Sequence, residues 1–105
     1  MALDPHRLTL WHKAGQRALA GDLTTGLVRR GDSVLVPSVT KDGKRYRVRL
    51  QNGRIGACDC DAGINGRPCR HRAAVAIRLY ERETGTRVVA LKAGAALAMQ
   101  RYLGG

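Results

Sequence analysis

Cys58-Asp59-Cys60 and Cys69-Arg70-His71 gather all three cysteines of the chain and one of its three histidines within fourteen residues, as C-x-C, eight intervening residues, then C-x-H. Three thiolates and one imidazole make a complete tetrahedral donor set for zinc. Four protein ligands leave no position for a water or a substrate, so the expected metal is one structural Zn2+ rather than a catalytic one. Cys58, Cys60, Cys69 and His71 are therefore the candidate ligands. His6 and His12 read as ordinary residues on a helix surface. No nucleophile–base pair or carboxylate cluster stands out, and Asp59 and Asp61 are better placed to tune charge near the zinc loop than to perform acid–base chemistry. The expectation is a binding protein and not an enzyme.

The spacing constrains the backbone. A C-x-C pair at the end of a strand offers both sulfurs to one metal if the chain turns between them, with Asp59 pointing away. Cys69 and His71 cannot converge from a regular helix, because positions i and i+2 diverge by about 200°. They can converge at a helix entry, with Cys69 still in the loop, and Pro68 suits that entry. Gly63, Asn65, Gly66 and Pro68 give the intervening segment the character of a loop that a metal closes.

The surrounding elements follow from pattern. Asp4-Pro5 starts a helix, carried by Leu8, Trp11, Ala14, Ala18 and Leu19 at helical spacing and ended by Gly21. Trp11 reads as part of its core-facing stripe. Residues 23–31 are ambiguous, with Val28 to Asp32 resembling a strand end running into a turn. Ser33 to Val39 is a strand whose Pro37 calls for an edge position or a bulge. Asp42-Gly43 and Asn52-Gly53 are hairpin turns on either side of a strand from Lys44 to Gln51. Arg54 to Ala57 is the third strand of the meander and leads into Cys58. A helix from Cys69 to about Glu83 follows, with Ala73, Ala76, Ile77 and Tyr80 on one side and Gly85 at its end. A short strand over 87–91 and a last helix within 91–103 complete the chain. The expected fold class is α+β: a small single domain over 1–105, with an antiparallel meander, a ββα zinc unit over 44–84, an N-terminal helix over 1–22 and a C-terminal helix over 91–103.

The region from Tyr46 to Tyr80 resembles a SWIM-type zinc finger, the C-x-C-x(n)-C-x-H module found in bacterial helicase-related proteins, transposases and eukaryotic signalling or recombination factors. Tyr46-x-Val48 is similar to the family's Tyr-x-Val strand, Arg70 stands between the last two ligands, and an apolar helix from Ala73 to Leu79 follows the histidine. Many members carry an aromatic soon after the second cysteine. Here that stretch is Asp61-Ala62-Gly63-Ile64, and Ile64 is expected to take the aromatic's packing role. The resemblance implies a ββα zinc fold and a role in DNA binding or protein–protein interaction, with no enzymatic activity.

Charge bears on the choice of partner. The net charge is +11, from 19 Lys+Arg against 8 Asp+Glu, which repels other copies and attracts polyanions. Nucleic acid is the expected partner, DNA favoured over RNA, and an anionic membrane surface is a weaker option. Arg far outnumbers Lys, and the planar guanidinium suits phosphate. Arg45, Arg47 and Arg49 alternate with Tyr46, Val48 and Leu50, so they form a row about 7 Å apart on one strand face. That row reads equally as a phosphate-contacting surface or a solvated sheet face. Lys41, Lys44, Arg54, Arg67, Arg70, Arg72, Arg78 and Arg82 are the other candidate contacts. The alternative function is a protein-interaction or homo-oligomerising module shaped by zinc. The absence of a long apolar run or a secretory pattern, and the odd cysteine count, point to a cytoplasmic protein that stays off membranes, nucleoid-associated if bacterial. An accessory role in recombination, repair or mobile-element biology would suit it.

Overall fold

The computed structural model describes residues 5–38, 43–52, 54–65, 67–90 and 100–103. Helix α1 (Pro5–Ala20) buries Trp11, Ala14 and Ala18, the stripe expected from spacing. It ends at Ala20, and the left-handed residue of the exit is Asp22 (φ 55°) rather than Gly21. A 3-10 turn (Leu23–Thr25) leads into strands β1 (Val28–Arg30), β2 (Ser33–Pro37), β3 (Arg45–Gln51) and β4 (Arg54–Cys58). They pair in chain order as an antiparallel sheet, β1-β2-β3-β4. Among the described residues the meander thus has four strands instead of three. Val28–Arg30 becomes a full strand because Gly31, at φ 60°, turns the chain back and lets Arg30 pair with Ser33.

Pro37 sits in an inner strand, but at its end. Pairing with β1 stops at Val28↔Leu35, and Pro37 pairs only with Arg45 of β3. The strands on either side of the expected 52–53 turn meet, with Gln51 paired to Arg54 and Asn52 left-handed at φ 52°, while Gly53 lies outside the described residues. The other expected hairpin turn closes at Gly43 (φ 77°), where the Ser38 amide donates to the Lys44 carbonyl. Lys41 and Asp42 lie outside the described residues, as does Val39.

Two helices follow β4: α2 (Asp61–Ile64), a single turn, and α3 (Arg70–Thr84), closed by Gly85 at φ 68°. The segment expected as an irregular loop therefore contains a helical turn. Helix α3 is the centre of the molecule, packed against α1 on one side and against β2, β3 and β4 on the other. Residues Ala73 to Ile77 are buried consecutively, not along one stripe. Alanine at three of those five positions fits a helix covered from two sides.

Residues 87–90 form no strand. The Val88 amide donates instead to Glu81 Oε2 (2.8 Å), folding the tail back along α3. Of the expected C-terminal helix only α4 (Gln100–Leu103) falls among the described residues. It packs on β4 and α3, buries Leu103, and is tied to α3 where Tyr102 and Arg101 donate to Glu83. The result is one α+β domain in which, among the described residues, α3 covers the sheet and α1 and α4 pack against α3.

Candidate metal centre

Strand β4 must deliver Cys58 into the core, and simple alternation from Ile55 would send it to the opposite face, three residues on. The register solves this. Leu50 pairs with Ile55 and Val48 with Cys58, so Arg49 of β3 stands opposite both Gly56 and Ala57. This extra residue is a β-bulge, a device that re-aims the side chains beyond it. Ile55 and Cys58 are both buried as a consequence. Asp59 then locks the strand end. Its Oδ1 accepts from the Arg47 amide (2.8 Å) and its own amide donates to the Arg47 carbonyl (3.2 Å). Its role is a backbone clamp.

Cys60 and Cys69 repeat one local arrangement. Each is extended and caps the helix that follows, accepting an amide three residues on. Cys60 Sγ accepts from Gly63 N (3.3 Å) and Cys69 Sγ from Arg72 N (3.4 Å). Both helix starts thus turn positive backbone dipoles towards sulfur and favour the thiolate. Cys69 sits in the entry to α3 and His71 in its first turn, the arrangement that the C-x-H spacing demands. Gly63 gives the turn room against Cys58. A Cβ there would lie 2.4 Å from the Cys58 carbonyl oxygen and 2.7 Å from Cys58 Cβ.

The ligand atoms of Cys58, Cys60, Cys69 and His71 lie within 4.8 Å of one another, and all four residues are buried. Sulfurs around a tetrahedral zinc stand about 3.8 Å apart, from Zn–S bonds of about 2.3 Å. His71 Nδ1 is buried with no hydrogen-bond partner, a costly state for a ring nitrogen unless a metal uses its lone pair. Hydrogen bonding to Cys69 and burial push the Cys58 thiol up. Hydrogen bonding from Cys58, then from His71 and the Arg72 amide, holds Cys69 down to about 4, and burial raises Cys60. Thiols this close cannot all ionise without a cation between them. The donor set fits one structural zinc ion, which would join the end of β4 to the start of α3.

Three further residues hold the site and were not singled out for that role by the sequence. Tyr46 packs on the His71 ring, centroid to centroid 4.5 Å. Gly63 gives α2 room, and Asp59 clamps the strand. Arg72, counted among the nucleic-acid candidates, is half-buried instead of projecting outward. Its guanidinium lies 5.0 Å from the Trp11 ring centroid, and its charge acts on Cys69, Cys58 and Cys60, although burial lowers its pKa. Three thiolates and Zn2+ carry a net charge of −1, and Arg72 is the adjacent countercharge. It also couples α1 to the metal site. Ile64, expected to fill an aromatic's place, is 71% exposed. It stands at the last position of α2, and Ala62 is the residue of that turn packed against the core. His6 is exposed and His12 half-buried on α1, and neither joins the cluster.

The other candidates fall into separate places. Lys44, Arg45, Arg47, Arg49 and Arg54 are exposed on β3, β4 or the residue before β3, and Arg67 is exposed beside the zinc loop. Arg70 is half-buried at the first position of α3. Arg78 and Arg82 are exposed further along α3, on the helix side of the sheet and away from the strand arginines.

Cys60→Ser is expected to abolish stoichiometric zinc, remove most far-UV helical signal and shift the emission of Trp11, the single tryptophan, to the red, because site formation is coupled to folding. A zinc-free Cys60→Ser protein with full helical content would refute the coupling. Gly63→Ala should cost about 1–3 kcal/mol in urea unfolding at saturating zinc, as overpacking does; unchanged stability would mean that α2 can shift without cost. Arg72→Ala should weaken zinc about 10–100-fold in competition with a chromogenic chelator, with Arg72→Lys recovering part of the loss. Equal affinity in all three proteins would remove Arg72 from the site.

Comparison with curated proteins and with solved structures finds no match. Comparison with family models finds one: residues 46–80, from Tyr46 of β3 to Tyr80 of α3, match the SWIM zinc finger, and the four clustered ligands stand in its C-x-C-x8-C-x-H pattern.

Proposed function

We propose that this chain is a zinc-stabilised nucleic-acid-binding protein that acts by binding rather than by catalysis, with DNA its principal partner. The observation that carries the reading is the outer face of the sheet. Among the described residues α3 packs on the other side, and the strand register sets the exposed Arg30, Arg45, Arg47, Arg49 and Arg54 on this face, with Ser33, Leu35 and Pro37 between them. No strand among the described residues contains an Asp or a Glu. Arg30 was not among the sequence candidates; its place became visible only when Val28–Arg30 proved to be a strand paired with β2.

Five arginines on three of the four strands, with the Asp59 carboxylate beside them already taken by the Arg47 amide, repel one another unless anions lie over them. Phosphates of a nucleic-acid backbone suit guanidinium geometry. Contacts of this kind position a duplex and carry little sequence preference. The zinc loop, with Arg67 exposed and Arg70 at the start of α3, would extend the surface beyond the end of β4. An accessory role in recombination, repair or mobile-element biology is compatible with such binding. No helix among the described residues is long and apolar enough to cross a membrane.

The test is binding of the zinc-loaded protein to matched duplex DNA, single-stranded DNA and RNA across a salt series, beside an Arg45/Arg47/Arg49→Ala triple variant. Duplex DNA is expected to bind most tightly, with log K falling linearly in log salt. The triple variant should flatten that slope by about 3, one unit per lost phosphate contact. Weak binding to all three nucleic acids, unchanged by the substitutions, would sink the proposal and leave the sheet face as a protein-docking surface.

A further inference from the structure

A second basic site lies on the opposite side of the molecule. Arg29 and Arg30 are consecutive in β1, so they project to opposite faces: Arg30 pairs with Ser33 on the outer face and Arg29 with buried Val34 on the helix face. Arg29 there meets Arg78 and Arg82 of α3 around a narrow slot of about 100 Å³, floored by Val34, Leu50 and Val75. The slot shares Leu27, Arg78 and Arg82 with a wider groove of about 580 Å³ between the 3-10 turn, the end of α3 and the tail, where Thr24, Thr86 and Arg87 complete the wall. That volume is in the range of ligand sites and far larger than one ion needs.

The charge of this groove is unbalanced. Four arginines border the two connected spaces, and among the described residues Glu81 is the only carboxylate lining them. Glu81 is already engaged, accepting the Val88 amide and lying 3.7 Å from Arg78. Glu83, next along α3, is held by Arg101 and Tyr102 of α4. Arg82 and Arg87 have no carboxylate partner among the described residues, and both are exposed. An open groove with this excess of guanidinium groups beside threonine hydroxyls suits a chain of phosphates.

A straight duplex cannot occupy both this groove and the arginine sheet face. The body measures 33 × 29 × 26 Å, whereas DNA is stiff over about 500 Å. Reaching both faces would require reversal of direction within a few tens of ångströms. We propose that the groove of Arg29, Arg78, Arg82 and Arg87 binds the phosphate backbone of a second nucleic-acid segment, so that one molecule bridges two duplexes. The inference rests on the sheet-face reading for the first segment.

The experiment uses the full zinc-loaded chain, a biotinylated 20-base-pair duplex on a surface and a fluorescent duplex of the same length in solution. The wild-type protein should bind the immobilised duplex and then capture the fluorescent one. An Arg78/Arg82/Arg87→Gln variant, checked for zinc content and helical signal, should bind the immobilised duplex within about threefold of wild type yet lose at least tenfold in capture. Arg82→Glu alone, which disturbs less of α3, should lower capture in the same direction. Light scattering of the free protein fixes its mass, since a dimer could also bridge. Wild-type protein that binds the first duplex without capturing the second would overturn bridging and leave the sheet-face reading intact. Failure to bind the first duplex would overturn that reading and bridging with it. Undiminished capture by the groove variants, or capture only by a dimeric protein, would remove the groove from the mechanism.

Discussion

Cys58, Cys60, Cys69 and His71 place their ligand atoms within 4.8 Å of one another, and this convergence ties the last strand of the sheet to the central helix. The constraint is severe because two helix caps and a strand end must meet at one point with every donor buried. The bulge opposite Arg49, the Asp59 clamp, the missing side chain of Gly63 and the Tyr46 ring against His71 each meet part of it. A chain with one Trp, three Tyr and no Phe has few large side chains to bury, and small domains of this kind commonly rely on a metal. Arg72 carries the constraint outward, since it balances the thiolates and stacks on Trp11, through which α1 is seated.

The same constraint shapes the surface. Once α3 is anchored at its first turn by Cys69 and His71, it lies across one face of the sheet, and α1 and α4 pack around it. The other face is left chiefly to β3, which alternates Tyr46, Val48 and Leu50 inward with Arg45, Arg47 and Arg49 outward. A row of arginines would be intolerable inward, where burial penalises charge; outward, its self-repulsion can be relieved by phosphate. Zinc in the proposed function supplies no chemistry of its own. It holds β3, β4 and α3 in the arrangement that spreads the charge over a face.

Charge is also divided by the sheet. Arg29 and Arg30 differ by one position and belong to different faces, and the arginines of α3 join the former. A net charge of +11 read as a single quantity suggests one basic surface. Strand alternation makes it two, separated by a layer of packed helix and sheet.

The ligand set, the helix entry at Cys69, the inward Tyr46-Val48-Leu50 side of β3 and the outward arginines were all legible in the sequence, because each depends on local spacing: two residues per strand repeat, or the geometry of one helix turn. The α+β class and the helix of Trp11 were legible for the same reason. The strand at 28–30 was half-visible, since three residues carry too little periodicity to tell a strand from a turn, and only pairing with β2 decides it. The strand expected over 87–91 does not form in its described part because the Glu81 carboxylate, seven residues before Val88, takes the Val88 amide. Ile64 points to solvent because α2 turns the chain immediately after Cys60. The inward turn of Cys58 depends on a register shift that involves Arg49, and the burial of Arg72 depends on a tryptophan sixty-one residues away in sequence. The sequence by itself therefore determined which atoms could bind zinc and which faces individual elements present. The tertiary structure alone decided how those faces combine, because pairing register and helix packing are set by contacts between residues that no local pattern relates.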